Sequence, residues 1–397
     1  MRTSKAPVVL ALSVVLVGLH SLPRAIPNPA SPDTTLVLSG GNYLDVRAGT
    51  VRPNGAIVVR GGRIVEIHDS GDGWRPPAGI QVLDLNGQTI LPGLVDAHVH
   101  LTISGKPREN AAATLRAGFT TVIDLGSAAG TGVRLRDAIA EGRATGPRVI
   151  AAGSWIGSKG GVCEFGGATV SNAEEARARA RADVDAGADL LKVCVTGWPA
   201  DAIAFPDSVE LKAGPLSAVL DVGRDAQRPV YAHAIGRSGA LLAADSGVRA
   251  LAHTPVVDSL GATRLKAAGA YVISTLATLT ARPEGDRVRQ SFRLLHAAGV
   301  PIVFGTDAGV LPHGENAKEF VALAEAGMTP LEAIRAATVN AAALLGVTTI
   351  GEIVVGAEGD FVVASGDPLQ DLRLLERPAL VVKGGRVTPP ESRPPPP

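Results

Sequence analysis

The stretch Leu91-Pro92-Gly93-Leu94-Val95-Asp96-Ala97-His98-Val99-His100-Leu101 reads as a short apolar strand that finishes on two imidazoles. Residues two apart on a strand point to the same face, so His98 and His100 stand side by side at its end. A doubly wound sheet that binds a nucleotide needs a glycine-rich loop directly after its first strand. Here His98-Val99-His100 occupies that place and offers metal ligands instead.

Working outward, the region from Gly93 to Leu345 repeats strand, loop and helix. Short apolar runs at 95–101, 120–125, 148–152, 190–195, 229–233, 250–253, 271–275 and 301–305 predict strands. The stretches 110–117, 173–186, 239–245 and 287–298 predict helices between them. Such alternation argues for parallel strands in βα units. Eight units fit an α/β fold of the (β/α)8 TIM-barrel type, placed at 93–347. An open sheet would also alternate, so the count alone leaves that choice open. On either side the texture changes to β-rich runs at 35–38, 56–60, 63–68 and 81–84, and again at 352–355, 360–364 and 379–383. The simplest topology joins both chain ends, 33–92 and 348–388, in one small β-sandwich domain.

Composition limits the rest. The chain has 397 residues, more than the roughly 250 of a single barrel, and 46% of them are apolar while only 3% are aromatic, so the core is mainly aliphatic. Lysine plus arginine and aspartate plus glutamate both number 38, and a nucleic-acid partner would ordinarily show as a basic excess. Arg2 and Lys5 precede an apolar run at 8–19 and a Pro- and Ser-containing stretch at 21–32. That order predicts a signal peptide and linker over 1–32 and an exported, periplasmic or secreted protein. The run is shorter than the about 20 residues of a membrane-spanning helix, so no stable membrane insertion is expected after cleavage. An uncleaved anchor is the alternative, because no clean small-residue cleavage site stands out. In an exported protein Cys163 and Cys194 could pair, but two are too few for a disulfide framework, and the favoured reading is two unpaired small apolar side chains. The proline-rich tail 389–397 predicts extended or disordered chain.

In a parallel barrel the active site lies at the C-terminal ends of the strands. His233 ends Val230-Tyr231-Ala232-His233, His253 ends Leu251-Ala252-His253, and Asp307 follows Ile302-Val303-Phe304 in Gly305-Thr306-Asp307. Singly, each has an ordinary reading as a hydrogen-bonded histidine or a turn aspartate. Together they converge on one rim. Lys192 decides the matter, because it sits inside Leu190-Leu191-Lys192-Val193-Cys194-Val195, where an ammonium is costly. It either snorkels to the barrel mouth, pairs with Asp307, or loses its proton through burial. A neutral amine captures carbon dioxide, and the carbamate so formed can bridge two cations through its oxygens.

The opening stretch resembles the entry strand of the amidohydrolase superfamily. Gly305-Thr306-Asp307, His313-Gly314-Glu315-Asn316, Gly327-Met328-Thr329-Pro330 and Gly366-Asp367-Pro368-Leu369 resemble its branch of imidazolonepropionase-like and Xaa-Pro dipeptidase-like enzymes. The resemblance spans residues 35–385. It implies a barrel with an attached β-sandwich, and a centre of two divalent metal ions, zinc by default. His98, His100 and Asp307 would hold one ion and His233 and His253 the other, with carbamylated Lys192 and a hydroxide bridging them. Asp307 would carry the proton to the leaving nitrogen during hydrolysis of a dipeptide, an N-acyl amino acid or a cyclic amide. Tyr231, which shares the inward face of His233, could polarise the substrate carbonyl or simply fill the core. His313 could meet a substrate carboxylate, and Trp198 could fill part of the pocket. Three departures from the branch, Ile235, Ala252 and Trp198 where a second glycine is usual, put the dipeptide substrate in doubt. A single-metal deaminase and a decayed barrel acting as a binding protein are the competing readings. A homo-oligomer is left open.

Overall fold

Eight short parallel strands follow one another around a ring: Leu94–Val99, Phe119–Asp124, Arg148–Ser158, Leu190–Cys194, Val230–His233, Ala250–Ala252, Tyr271–Ile273 and Ile302–Val303. The computed structural model describes residues 35–388, so the expected signal segment and the proline-rich tail lie outside the described residues. The ring is joined where the Ala97 amide donates to the Phe304 carbonyl at 2.9 Å and the Asp307 amide to the His98 carbonyl at 2.8 Å. The result is a (β/α)8 barrel.

The strands read as nearly continuous apolar runs because both faces are buried. Val95, Ala97, Ile123, Ile150, Leu190, Tyr231, Ala250, Ile273 and Val303 fill the interior. The alternating residues, among them Leu94, Phe119, Val149, Leu191, Val193, Leu251 and Ile302, pack outward against the helices. The helices have ordinary local causes. Asn172 caps Ala173–Asp185 by accepting from the Glu175 amide, and Thr329 with Glu332 forms a capping box on Pro330–Ala336. Among the described residues no helix is long and apolar enough to cross a membrane.

The second unit is a curled mixed sheet of nine strands, six contributed before the barrel and three after it. Its seam is the antiparallel pairing of Thr89–Pro92 with Phe361–Ala364. The long strand Thr50–Arg60 pairs with Asn42–Asp45 near its start and with Thr35–Ser39 and Arg63–Asp69 further along. It therefore runs through both halves of the sheet. The predicted strand at 352–355 does not form. Gly351 and Gly356 take left-handed backbone angles on either side of it (φ 85° and 91°), and Glu352 turns out to pair with Arg47 at 2.5 Å. Three short strands of this sheet, Asn42–Asp45, Thr89–Pro92 and Arg386–Val387, lie outside the β-rich runs named from the sequence.

The sheet meets the lower end of the barrel through a buried charge cluster. Arg148 donates to Asp360 and to Glu358, both at 3.0 Å, and to the Thr121 hydroxyl at 2.9 Å. Glu358 also pairs with Arg63 at 2.9 Å, Asp360 accepts from the Gly384 amide at 2.7 Å, and Lys383 donates to the Gly146 carbonyl at 2.7 Å.

Candidate metal centre

At the opposite end of the barrel the strands bring six side chains to one rim. His98 Nε2 and His100 Nε2 lie 3.2 Å apart, and each is 3.3 Å from Asp307 Oδ1. Their ligand atoms, within 4.8 Å of one another, form a trio able to hold a metal ion. The His253 ring stands 4.7 Å from that of His98 and 4.6 Å from that of His233. Lys192 reaches the same region from the fourth strand, only 2% exposed.

The hydrogen bonds set which nitrogen of each outer histidine is free. His233 Nε2 donates to the Gly197 carbonyl at 3.0 Å, which leaves Nδ1 with a lone pair. His253 Nδ1 is held by the Thr275 hydroxyl at 3.0 Å, which leaves Nε2. His98 Nε2 and His100 Nε2 either share a hydrogen bond in which one neutral ring donates to the other, or turn both lone pairs toward a common cation. Burial lowers the pKa of His98 and His253 well below the ordinary value and that of His233 to about 4, so the rings are neutral ligands. Lys192 Nζ has no hydrogen-bond partner, and burial lowers its pKa to about 7, with Asp307 opposing the shift. The donor set therefore fits divalent cations: imidazole nitrogens, one carboxylate, and an uncharged amine open to carbon dioxide.

Backbone strain is concentrated here. His253, Thr275 and Asp307, at the ends of the sixth, seventh and eighth strands, hold φ at 79°, 51° and 60°. Such angles cost on the order of 1–3 kcal/mol for a residue with a side chain and collect at functional sites.

Several supporting residues escaped the sequence reading. Asp96 accepts from the His98 amide (3.1 Å), the Thr306 amide (3.1 Å), the Thr306 hydroxyl (2.6 Å) and Asn316 Nδ2 (2.8 Å), and so ties the first strand to the turn that carries Asp307. Burial raises its pKa to about 6. Glu319 accepts from the Leu276 and Ala277 amides at 2.8 and 2.6 Å, bracing the segment after Thr275, and burial raises its pKa to about 8. The available signal was a carboxylate inside an apolar run, as with Lys192.

Three sequence expectations are corrected. Tyr231 does face inward, but it sits two residues, about 6.6 Å, deeper than His233. It packs in the apolar interior, level with Lys192 on one side and with Ala250 at the start of the next strand on the other, and takes the core-filling one of its two readings. His313 has both nitrogens engaged, Nε2 with the His100 carbonyl at 3.3 Å and Nδ1 with the Thr114 hydroxyl at 3.0 Å. Burial lowers its pKa to about 4, leaving a neutral ring that braces His100 and has no charge for a carboxylate. Cys163 and Cys194 are joined in a disulfide, their Cα atoms 6.2 Å apart. The loop after the third strand folds back over the neighbouring fourth strand and brings together residues 31 apart in sequence. Trp198 lies at the rim, 55% exposed.

Comparison with known proteins agrees with this arrangement. The sequence model of the Amidohydrolase family matches residues 89–388. The chain is 27% identical to ochratoxinase of Aspergillus niger, over 75% of each chain. It is 29% identical to adenine deaminase 2 of Rhizobium etli, over 89% of this chain and 56% of that one. A crystal structure of a Xaa-Pro dipeptidase with methionine bound in its active site superposes with a TM-score of 0.81 at 28% identity, covering 89% of this chain and 99% of the other.

Proposed function

We propose, from the premise that this chain belongs to the amidohydrolase family and is a hydrolase of carbon–nitrogen bonds, that it works with two divalent cations, zinc by default. The substrate is the amide bond of a dipeptide, an N-acyl amino acid or a cyclic amide. His98, His100 and Asp307 hold one cation, and His233 and His253 hold the other through the nitrogens left free by Gly197 and Thr275. The neutral Lys192 nitrogen would add to the carbon of carbon dioxide and release a proton to solvent, and the carbamate oxygens would then serve as further ligands beside the histidines and Asp307. Bound there, the cations supply Lewis acidity, polarising the substrate carbonyl and lowering the pKa of water.

The protein's own groups do the remainder. Asp307 takes the proton from the attacking water and delivers it to the leaving nitrogen. Asp96, through Thr306 and Asn316, keeps that carboxylate aimed, and His313 holds the backbone of His100. The observation that carries the reading is the unpartnered Lys192 Nζ facing a trio of ligand atoms. A disulfide persists in oxidising compartments, which supports placing the protein outside the cytoplasm.

Metal content per chain tests this, measured by plasma mass spectrometry on protein purified without chelators, alongside a panel of dipeptides and N-acyl amino acids. Two equivalents with turnover are expected. One equivalent favours the alternative reading of a single-metal deaminase. None, with no activity after zinc and bicarbonate are added, overturns the proposal.

A further inference from the structure

None of this chemistry uses the row of rings that runs outward from His100. The Trp155 ring lies 5.6 Å from His100, Phe165 lies 5.0 Å from Trp155, and Trp198 lies 6.1 Å from Phe165. Trp155 is buried, while Phe165 is 60% and Trp198 55% exposed. Single apolar residues on a surface need no explanation, but adjoining exposed rings that continue inward to a metal-site histidine form one apolar track.

The row is held by its surroundings. Cys163, two residues before Phe165, is bonded to Cys194, two residues after Lys192. Glu210 clamps the same loop, its carboxylate accepting from the Val162 amide at 2.9 Å and its carbonyl from the Ser158 hydroxyl at 2.8 Å. Glycines make the room. A Cβ at Gly126 would stand 2.4 Å from Trp155 Nε1, and one at Gly166 would stand 2.5 Å from the same indole. Gly126 also holds φ at 124°, a conformation other residues rarely adopt. A slot cut this closely fixes the indole, and the disulfide fixes the loop that covers it.

We infer that Trp155, Phe165 and Trp198 form a specificity wall, kept in place by the Cys163–Cys194 disulfide, that selects substrates carrying an aromatic or similarly bulky apolar group beside the scissile amide. The inference rests on the hydrolase chemistry proposed above. Its occupant follows from continuity: the track starts at a metal-site histidine, so the group that fills it belongs to the molecule whose carbonyl sits there. Offset and edge-to-face contacts with such a group add to the burial of its area.

The test uses the zinc-loaded full chain and two tetrahedral amide mimics, the N-methylphosphonates of L-phenylalanine and of glycine. Binding is read by quenching of the fluorescence of Trp155 and Trp198. The phenylalanine compound is expected to bind at least about tenfold more tightly, which corresponds to about 1.4 kcal/mol. Phe165→Ala brings the ratio below about threefold, Phe165→Leu restores part of it, and Cys163→Ser lowers it to a smaller degree. Equal, measurable binding of both compounds overturns the wall and leaves the hydrolase proposal standing, as does an undiminished ratio in Phe165→Ala. Binding of neither compound removes both.

Discussion

The two ends of the barrel both bury charge, and they treat it in opposite ways. At the lower end Arg148, Glu358 and Asp360 are closed on one another, with Arg63 and backbone groups completing the set. At the upper end Lys192 Nζ and the Nδ1 atoms of His98 and His100 have no partner. A buried polar group left unpaired costs on the order of 1–3 kcal/mol, so the upper end carries a standing penalty that the lower end avoids. The difference teaches where the molecule was shaped for stability and where for a ligand. Left-handed backbone at His253, Thr275 and Asp307 adds to the same penalty.

Substitutions should separate the two ends. The largest effect is expected from Asp307→Asn, which keeps the shape of the side chain and removes the proton carrier. Its kcat should fall by about 10³-fold or more while circular dichroism stays that of the parent, and near-parental turnover would dismiss Asp307 from the role. Lys192→Ala should lose metal and activity, with partial recovery in short carboxylic acids that stand in for the carbamate. Full metal loading without such acids would end the bridging assignment.

The lower end should respond in stability instead. Arg148→Met leaves Glu358 and Asp360 facing a low-dielectric joint and is expected to cost about 3 kcal/mol, read as a lower denaturation midpoint. An unchanged midpoint would show that Arg63 and the Gly384 amide suffice alone. Lys192→Met should do the reverse in metal-free protein and raise the melting temperature. Burial lowers the Lys192 pKa from 10.5 to about 7, so between those values the unfolded chain binds more protons than the folded one. Metal-free stability therefore falls as pH drops through that window, and the slope should flatten in Lys192→Met.

The same contrast explains what could be read from the sequence. The eight barrel strands were legible because each is an apolar run bracketed by turn residues, and Lys192 was legible because a charge inside such a run has no ordinary excuse. Asp96 obeys the same logic, yet its purpose depends on Thr306 and Asn316, which lie more than 200 residues away and reach it only in the folded barrel. The parity argument correctly turned Tyr231 inward but says nothing about depth, which distinguishes a core tyrosine from a reactive one. The run at 352–355 has strand composition, and only its flanking glycines, in left-handed turns, show that the chain bends there. The disulfide depends on how one loop folds over the next strand, and spacing does not encode that.

The seam between Thr89–Pro92 and Phe361–Ala364 also sets a clock. A ribosome releases the second strand roughly 270 residues after the first, which at ~5–20 residues per second amounts to a wait on the order of 15–50 s. Throughout that interval the strand leading into the barrel has an open edge, and Arg148 faces a joint whose two carboxylates have yet to be made. The nine-stranded sheet is unfinished until those four residues arrive, and a chain cut short before Phe361 would leave the seam unclosed.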